Sequence, residues 1–301
     1  GSIIAPNIET VTLKTSASGA KTISGATFAD ATNVTITATG SNLVINDFTA
    51  TNITALDASS SNKIVTITSG ADAFSSAFTY NGSSTNDRLD FDGATLVAGT
   101  VFELGQGGQD TLTLNADAVA TTVRTSATTS NRAISIRDDA TSANTASFTS
   151  GSDTFDYNGS LLHDSVTSVV AASGATLQAA VAADADATVY VIQDADGDAD
   201  LENAINNFAD NVGRGRANTL ESVALDTGLL SYTGLDAAFD SSDIVLIAID
   251  SETNATAANN GGTAVYRFQN TNTDTVDTVL SSELELIGVF QDAALGTVDF
   301  V

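Results

Sequence analysis

The chain has 301 residues, with 37 Asp and Glu against 10 Lys and Arg, and a formal net charge of −27. A surface of that sign repels nucleic acid and anionic membranes and attracts cations. The chain contains no Cys, which excludes disulfides, thiol catalysis and thiolate zinc sites.

Short strands recur from the start of the chain. Asn precedes an alternating run of Ile, Val, Leu and Thr in NIETVTL from Asn7, NVTITATG from Asn33, NLVIND from Asn42, NITALDA from Asn52 and NKIVTITSG from Asn62. From Asn33 onward these starts are nine or ten residues apart. Similar strands follow in RLDFDG (88–93), TVFELG (100–105), TLTLNA (111–116), RAISIRD (132–138) and TFDYNG (154–159).

Strands this short cannot each bury a core alone, but stacked as rungs they can. Val, Ile and Thr suit continuous ladders, while Asn, Asp and Gly suit the corners between strands. We therefore predict a mainly β protein in which residues 1–155 form a parallel β-solenoid of the β-helix or β-roll kind, with Val, Ile, Leu and Phe inside. The alternative is a β-sandwich of two antiparallel sheets, which also has strands at 8–12 residue spacing.

The pattern changes near residue 150. TLQAAVAAD (176–184) and DADLENAINNFADNVG (198–213) have the apolar spacing of short helices. Longer apolar runs at 187–194, 243–250, 262–270 and 284–290 predict strands that are covered on both faces. We expect residues 156–301 to form a smaller β-rich domain with one or two short helices.

A Gly-x-Asp-x-apolar motif recurs in the first region, in GQGGQDTLTL (105–114), GADAF (70–74) and GSDTF (151–155), with a relative in NDRL (86–89). Glycine lets the backbone turn so that carbonyls face a cation, Asp supplies a carboxylate, and the large apolar residue fills the core. This pattern predicts a Ca²⁺ site, with candidate ligands Asp72, Asp87, Gly108, Asp110 and Asp153. The alternative is that these Asp side chains accept hydrogen bonds from turn amides.

Two further acidic stretches are candidate Ca²⁺ sites. The first is DADGDADLE, with Asp194, Asp196 and Asp198 as candidate ligands. It is not an EF-hand, because placing Gly197 at the sixth position puts Asn203 rather than Glu at the twelfth. Capping of the following helix explains the same Asp residues. The second is the loop that carries Asn272 and Asp274.

Residues 3–115 resemble the β-solenoid repeats of bacterial surface-layer and RTX-type proteins exported by type I secretion. The motifs are PNIETVTLKT (6–15), NITALDAS (52–59), VTITSGADAF (65–74) and GQGGQDTLTL. The stretch from GTAVYRFQN to VDFV (262–301) is similar to the C-terminal ends of such proteins. The resemblance implies an uncleaved C-terminal secretion signal, calcium-supported folding outside the cell, and lattice assembly. Tandem GGxGxD arrays are absent, which departs from the family pattern.

Catalysis has little support in the sequence. His163 precedes Asp164, but no Gly-x-Ser-x-Gly motif accompanies the pair. A polysaccharide-cleaving β-helix enzyme remains an alternative, although the chain has no Trp to stack on sugars. We predict a non-enzymatic, extracellular structural subunit of a surface layer or filament that assembles with itself. The alternative is a C-terminal secretion or anchoring module of a larger adhesin or enzyme.

The expected partners are other copies of the chain. A surface polysaccharide or lipopolysaccharide is a further candidate partner, whose anionic groups Arg214 and Arg216 in GRGRAN would contact. The alternative is that these two arginines belong to a solvated turn. We expect neither nucleic acid nor a membrane span, since no segment reaches the ~18 apolar residues that a spanning helix needs.

Overall fold

A computed structural model of the chain describes residues 1–70, 73–104, 107–115, 119–125, 133–137, 148–157, 168–171, 189–194, 244–251, 262–269, 283–291, 293, 295 and 299–301. The two predicted helices, at 176–184 and 198–213, lie outside these residues. Within the described part of the chain, no helix is long and apolar enough to cross a membrane.

The described residues form twenty strands. These are β1 (Ser2–Ile4), β2 (Thr10–Thr15), β3 (Lys21–Ile23), β4 (Gly25–Thr27), β5 (Asn33–Ala38), β6 (Leu43–Thr49), β7 (Ala55–Asp57), β8 (Val65–Ser69), β9 (Thr79–Asn81), β10 (Arg88–Asp90), β11 (Thr100–Glu103), β12 (Thr111–Thr113), β13 (Thr121–Thr125), β14 (Ile134–Ile136), β15 (Thr154–Tyr157), β16 (Ser168–Ala171), β17 (Val189–Asp194), β18 (Ile244–Ser251), β19 (Gly262–Gln269) and β20 (Leu284–Gln291).

Up to β15 the strands alternate between two parallel sheets, except that β3 and β4 both lie in sheet A. The order in sheet A is β1-β4-β6-β8-β10-β12-β14, with β3 also paired to β6, and sheet B contains β2, β5, β7, β9, β11, β13 and β15. In sheet B, Thr10 lies beside Asn33 and Asn33 beside Ala55, so one coil takes about 22 residues. The chain thus forms a β-solenoid of about five turns, as predicted. The nine- or ten-residue spacing is the step from one sheet to the other, or about half a coil.

The core lies between the two sheets. In β5, Val34 and Ile36 are buried while Thr35 and Thr37 between them are only partly buried, which is the period-two alternation of a strand with one face inside. The rings of Phe91 and Phe102 pack edge to face between the two sheets, with their centroids 5.3 Å apart. Burying each such side chain stabilises the fold by about 1.5–3 kcal/mol, and this repeats in every coil.

The later strands extend sheet A. β16, β17 and β18 are parallel, β18–β19 and β19–β20 are antiparallel, and β20 lies parallel to β14. β17 to β20 confirm the strands predicted in this region, and the described side chains of β18 are all buried, as expected for a strand covered on both faces.

The last described residues contact the final coil of the solenoid. Asp299 accepts hydrogen bonds from the Ser150 hydroxyl at 2.7 Å and from the Gly151 amide at 2.6 Å. Phe300 forms a parallel bridge with Phe155. These contacts hold residues 299–301 against the turn that carries Asp153.

Candidate cation site at the buried aspartates

Two glycines of the repeated motif adopt a left-handed conformation. Gly108 has φ of +88° and Gly151 has φ of +80°, values that favour glycine over residues with a Cβ. A Cβ on Gly108 would also lie 2.4 Å from the carbonyl carbon of Thr85, whereas a Cβ on Gly151 would meet nothing within 4 Å. Gly108 is therefore required both by its backbone angle and by close packing between coils.

The apolar residues two positions after the motif aspartates point into the core. Leu112 and Phe155 follow Asp110 and Asp153 and are both fully buried. Leu89 follows Asp87 and is 2% exposed. The prediction that these side chains fill the core is confirmed. Because they are buried, the aspartate two positions before each of them lies at the edge of the core.

Asp87 is completely buried and its carboxylate is well satisfied. It accepts hydrogen bonds from the Ser83 amide at 2.6 Å, the Ser83 hydroxyl at 2.7 Å and the Tyr80 hydroxyl at 3.0 Å. Gly82 allows this approach, because a Cβ there would lie 3.1 Å from an Asp87 carboxylate oxygen and 2.9 Å from the Glu103 carbonyl. The Asp87 carboxylate thus stabilises its own turn by accepting hydrogen bonds from Ser83 and Tyr80.

Asp110 lies one coil further along, directly beside Asp87. Its Oδ1 accepts a hydrogen bond from the Asp87 amide at 2.7 Å. Its Oδ2 is buried and has no hydrogen-bond partner among the described residues. Two buried carboxyl groups are therefore stacked on neighbouring coils, with one oxygen left unsatisfied.

The charges of this pair are unfavourable to each other. Burial raises the pKa of the Asp110 carboxyl well above its usual range, the Asp87 charge raises it further, and the Asp87 amide opposes the shift. Burial also raises the pKa of Asp87, against the lowering effect of its bonds from Ser83 and Tyr80. Either a proton or a cation at Asp110 Oδ2 would relieve this arrangement.

Asp153 occupies a similar turn but has both oxygens bonded. Its Oδ1 accepts from the Thr121 amide at 2.9 Å and the Thr121 hydroxyl at 2.5 Å, and its Oδ2 accepts from the Thr149 amide at 2.8 Å. Thr121 begins β13 in the preceding coil. Asp153 therefore links its own turn to the preceding coil by hydrogen bonds.

Ca²⁺ needs six to eight oxygen ligands, so a single carboxylate is not a site by itself. No group of three or more His, Cys, Asp or Glu residues that could hold a metal occurs in the described part of the chain. Asp87, Asp110 and Asp153 each accept hydrogen bonds from backbone amides, as the structural alternative stated. Calcium ligation by these residues stays a prediction, for which the unsatisfied Asp110 Oδ2 is the supporting feature.

The other predicted ligands are not brought to this site by the described structure. Asp194 ends β17. The remaining candidates lie outside the described residues, and so do the residues weighed for catalysis and anion binding: Asp72, Asp196, Asp198, Asn272, Asp274, His163, Arg214 and Arg216.

Two residues of the site were not singled out from the sequence. Tyr80 and Ser83 both donate to Asp87. Ser83 precedes Asp87 by four residues, and Thr149 precedes Asp153 by the same interval, with the amide donating to the carboxylate in both cases. A Ser or Thr four residues before a motif aspartate is the signal that would have found this turn.

No protein-family model matches the chain, and neither a curated protein nor a solved structure matches it.

Proposed function

We propose that the protein is an extracellular structural subunit that assembles with itself into a surface layer or filament, supported by calcium. The observation that carries the proposal is the edge presented by the first coil. Within the described residues, β1 pairs only with β4 and β2 only with β5. The outer edges of both strands thus offer backbone groups that another strand can pair with.

The same edge is apolar. The described residues include four exposed large hydrophobic side chains, and three of them, Ile3, Ile4 and Ile8, belong to this first coil. Ile4 is 73% exposed. Covering it would contribute favourable free energy in addition to the strand pairing. We assign this edge to contact with a second copy of the chain.

Charge sets the conditions for such contact. At a net charge of −27, copies of the chain repel one another, and salt screens that repulsion. A divalent cation shared between carboxylates of two copies would bridge them, which sodium cannot do. We therefore propose that calcium promotes assembly at the acidic surface, whether or not an ion also binds at Asp110.

Sedimentation velocity in calcium chloride and in sodium chloride of equal ionic strength tests the proposal. We expect large assemblies in calcium only. Ile4→Lys should abolish them, because it places a charge in the apolar edge. Ala98→Lys is the control with the same introduced charge, because Ala98 is exposed in the middle of the solenoid, between β10 and β11, and it should assemble normally.

Equal loss of assembly in both variants would remove the first-coil edge from the proposal. A wild-type protein that stays monomeric in both salts would overturn self-assembly altogether. The alternative, a secretion or anchoring module of a larger protein, would then become the better account. Neither account assigns the chain a catalytic activity.

A further inference from the structure

The hydrophobic core of the solenoid is uncovered at the first coil. Ile3 lies beside Ala26 in sheet A, and Ala26 lies beside Phe48. Ala26 and Phe48 are completely buried, whereas Ile3, which belongs to the same inward-facing row, is 38% exposed. In sheet B, Val11 is likewise more exposed than Val34 of the next coil, at 9% against 1%. Among the described residues, no coil covers the inward-facing side chains of β1 and β2 from outside.

Ile8 takes the same place in its turn as two buried residues of later coils. It lies two residues before β2, as Ala31 lies two residues before β5 and Ile53 two residues before β7. Ala31 and Ile53 are completely buried, but Ile8 is exposed. Ile3 and Ile8 are therefore core residues by their position in the repeat, and they are exposed because the core ends beside them. Together with Val11 they form the open end of the core.

The opposite end of the core is covered by the chain itself. Phe155 of β15 is completely buried, and the Phe300 ring lies against it with a centroid separation of 6.0 Å. The Val301 amide donates to the Phe155 carbonyl at 3.2 Å, so the edge of β15 is occupied there. In sheet A, β20 pairs with β14, and the Phe290 ring packs edge to face on Phe155 at 5.2 Å. Of the two ends of the solenoid that the structure describes, the first coil is the uncovered one.

The first coil does not share the strong negative charge of the chain. Residues 1–29 contain two basic side chains, Lys14 and Lys21, and one acidic side chain, Glu9, and all other acidic residues follow later in the chain. Two copies with a net charge of −27 each repel least when their acidic parts face away from each other. Contact through the two first coils gives that arrangement, because it places the solenoids end to end.

We propose that the open ends of two copies pack against each other in a closed, two-fold symmetric dimer. This inference rests on the self-assembly proposed above and specifies its contact. A second open end offers both apolar side chains and free strand edges, which the covered end described above does not. A two-fold axis pairs β1 with β1 and β2 with β2 in antiparallel orientation. Pairing like with like also matches strand lengths, since β1 has three residues and β2 has six.

The proposed contact occupies the first-coil edge of both copies. A junction between two different surfaces would leave one of each free, so that a filament could grow, but a two-fold junction closes at two copies. Because the contact is made by apolar side chains and backbone groups, the dimer should form without calcium. Growth into a larger assembly then requires the calcium-bridged contacts between acidic surfaces.

Ile3→Cys tests the symmetry, because the chain contains no other thiol. Full antiparallel pairing of β1 with its counterpart places Ile3 opposite the partner's Ile3. The Cα separation of such pairs, about 4.5–5.5 Å, suits a disulfide. Under mild oxidation in chelator and sodium chloride, we expect this variant to form a covalent dimer on non-reducing electrophoresis. Ala98→Cys is the control, because Ala98 is exposed between β10 and β11, and it should remain uncrosslinked.

Sedimentation equilibrium in the same buffer measures the strength of the contact. The wild type should show a monomer–dimer equilibrium. Ile3→Asp should raise the dissociation constant by about a hundredfold, since it opposes two carboxylates in the junction, whereas Ala98→Asp should leave the constant within about twofold. Circular dichroism of each variant verifies that the solenoid is intact.

The outcomes separate this contact from self-assembly as such. Equal crosslinking of both cysteine variants, or a wild type that is monomeric in chelator, would overturn the symmetric dimer. Large assemblies in calcium in which Ile3→Cys does not crosslink would also overturn it, but would leave self-assembly standing and place the first coil against another surface, such as β16. A crosslinked dimer that does not grow in calcium would support the contact and overturn the calcium-supported lattice.

Discussion

The turn at Asp110 and the turn at Asp153 share a motif but differ in how their carboxyl oxygens are hydrogen-bonded. Both have a left-handed glycine two residues before the aspartate and a buried apolar residue two residues after it. Asp153 has both oxygens bonded, whereas Asp110 has one buried oxygen without a partner among the described residues. The motif therefore fixes the path of the backbone but not the hydrogen bonding of its carboxyl group.

The residue in the preceding coil makes the difference. Oδ1 of Asp153 meets Thr121, which offers both an amide and a hydroxyl. Oδ1 of Asp110 meets Asp87, which offers an amide and brings a second carboxylate. In a solenoid the environment of a side chain is set by residues about one coil away, so identical local motifs can produce one satisfied and one strained acid.

The largest expected effect separates the two glycines. Gly108→Ala should lower the free energy of unfolding by about 3 kcal/mol, because it combines a left-handed backbone with a Cβ too close to Thr85. Gly151→Ala should lower it by only about 1 kcal/mol, since it carries the backbone cost alone. Urea denaturation followed by circular dichroism measures both.

An equal loss of unfolding free energy in the two alanine variants would contradict the close packing of Gly108 against the preceding coil. The difference between them is the informative quantity, because both substitutions change the unfolded chain in the same way.

A smaller effect is expected when the satisfied aspartate is changed. Asp153→Asn should destabilise the protein by about 2 kcal/mol, because its amide group must face either the Thr121 or the Thr149 donor in place of an oxygen. Asp57→Asn is the control, since Asp57 is only partly buried and accepts one hydrogen bond, from Ser59. That variant should unfold within about 0.5 kcal/mol of the wild type, and a similar loss in both would refute the role given to Asp153.

Much of the solenoid could be predicted from the sequence because its signal is local. Alternation of apolar and polar residues identifies β5 and β8, and the Gly-x-Asp motif identifies the turns. β4 (Gly25–Thr27) and β9 (Thr79–Asn81) were not among the predicted strands. Each has three residues and only one buried position, too few to show a period, and each is a strand because its neighbours in the sheet pair with it.

The state of the aspartates could not be predicted from the sequence for a related reason. The stacking of Asp110 on Asp87 depends on register between coils, and the nine- or ten-residue spacing gave only the step between sheets. With a coil of about 22 residues, the two aspartates become neighbours.

The smallest expected effect has the opposite sign and depends on pH. Burial and the Asp87 charge raise the pKa of Asp110 in the folded protein. The group therefore contributes its full stability below its unfolded pKa of about 3.9, and that contribution is lost as pH rises through the higher folded value. The side chain of Asp110→Asn cannot ionise. At pH 7 in chelator, its free energy of unfolding should therefore equal that of the wild type or exceed it by about 1 kcal/mol. Urea midpoints from pH 4 to 8 should fall more steeply for the wild type than for the variant.

Parallel curves would show that Asp110 carries no unfavourable charge. A gap at pH 7 that calcium closes by stabilising only the wild type would identify the ion, in place of the proton, as the partner of Oδ2.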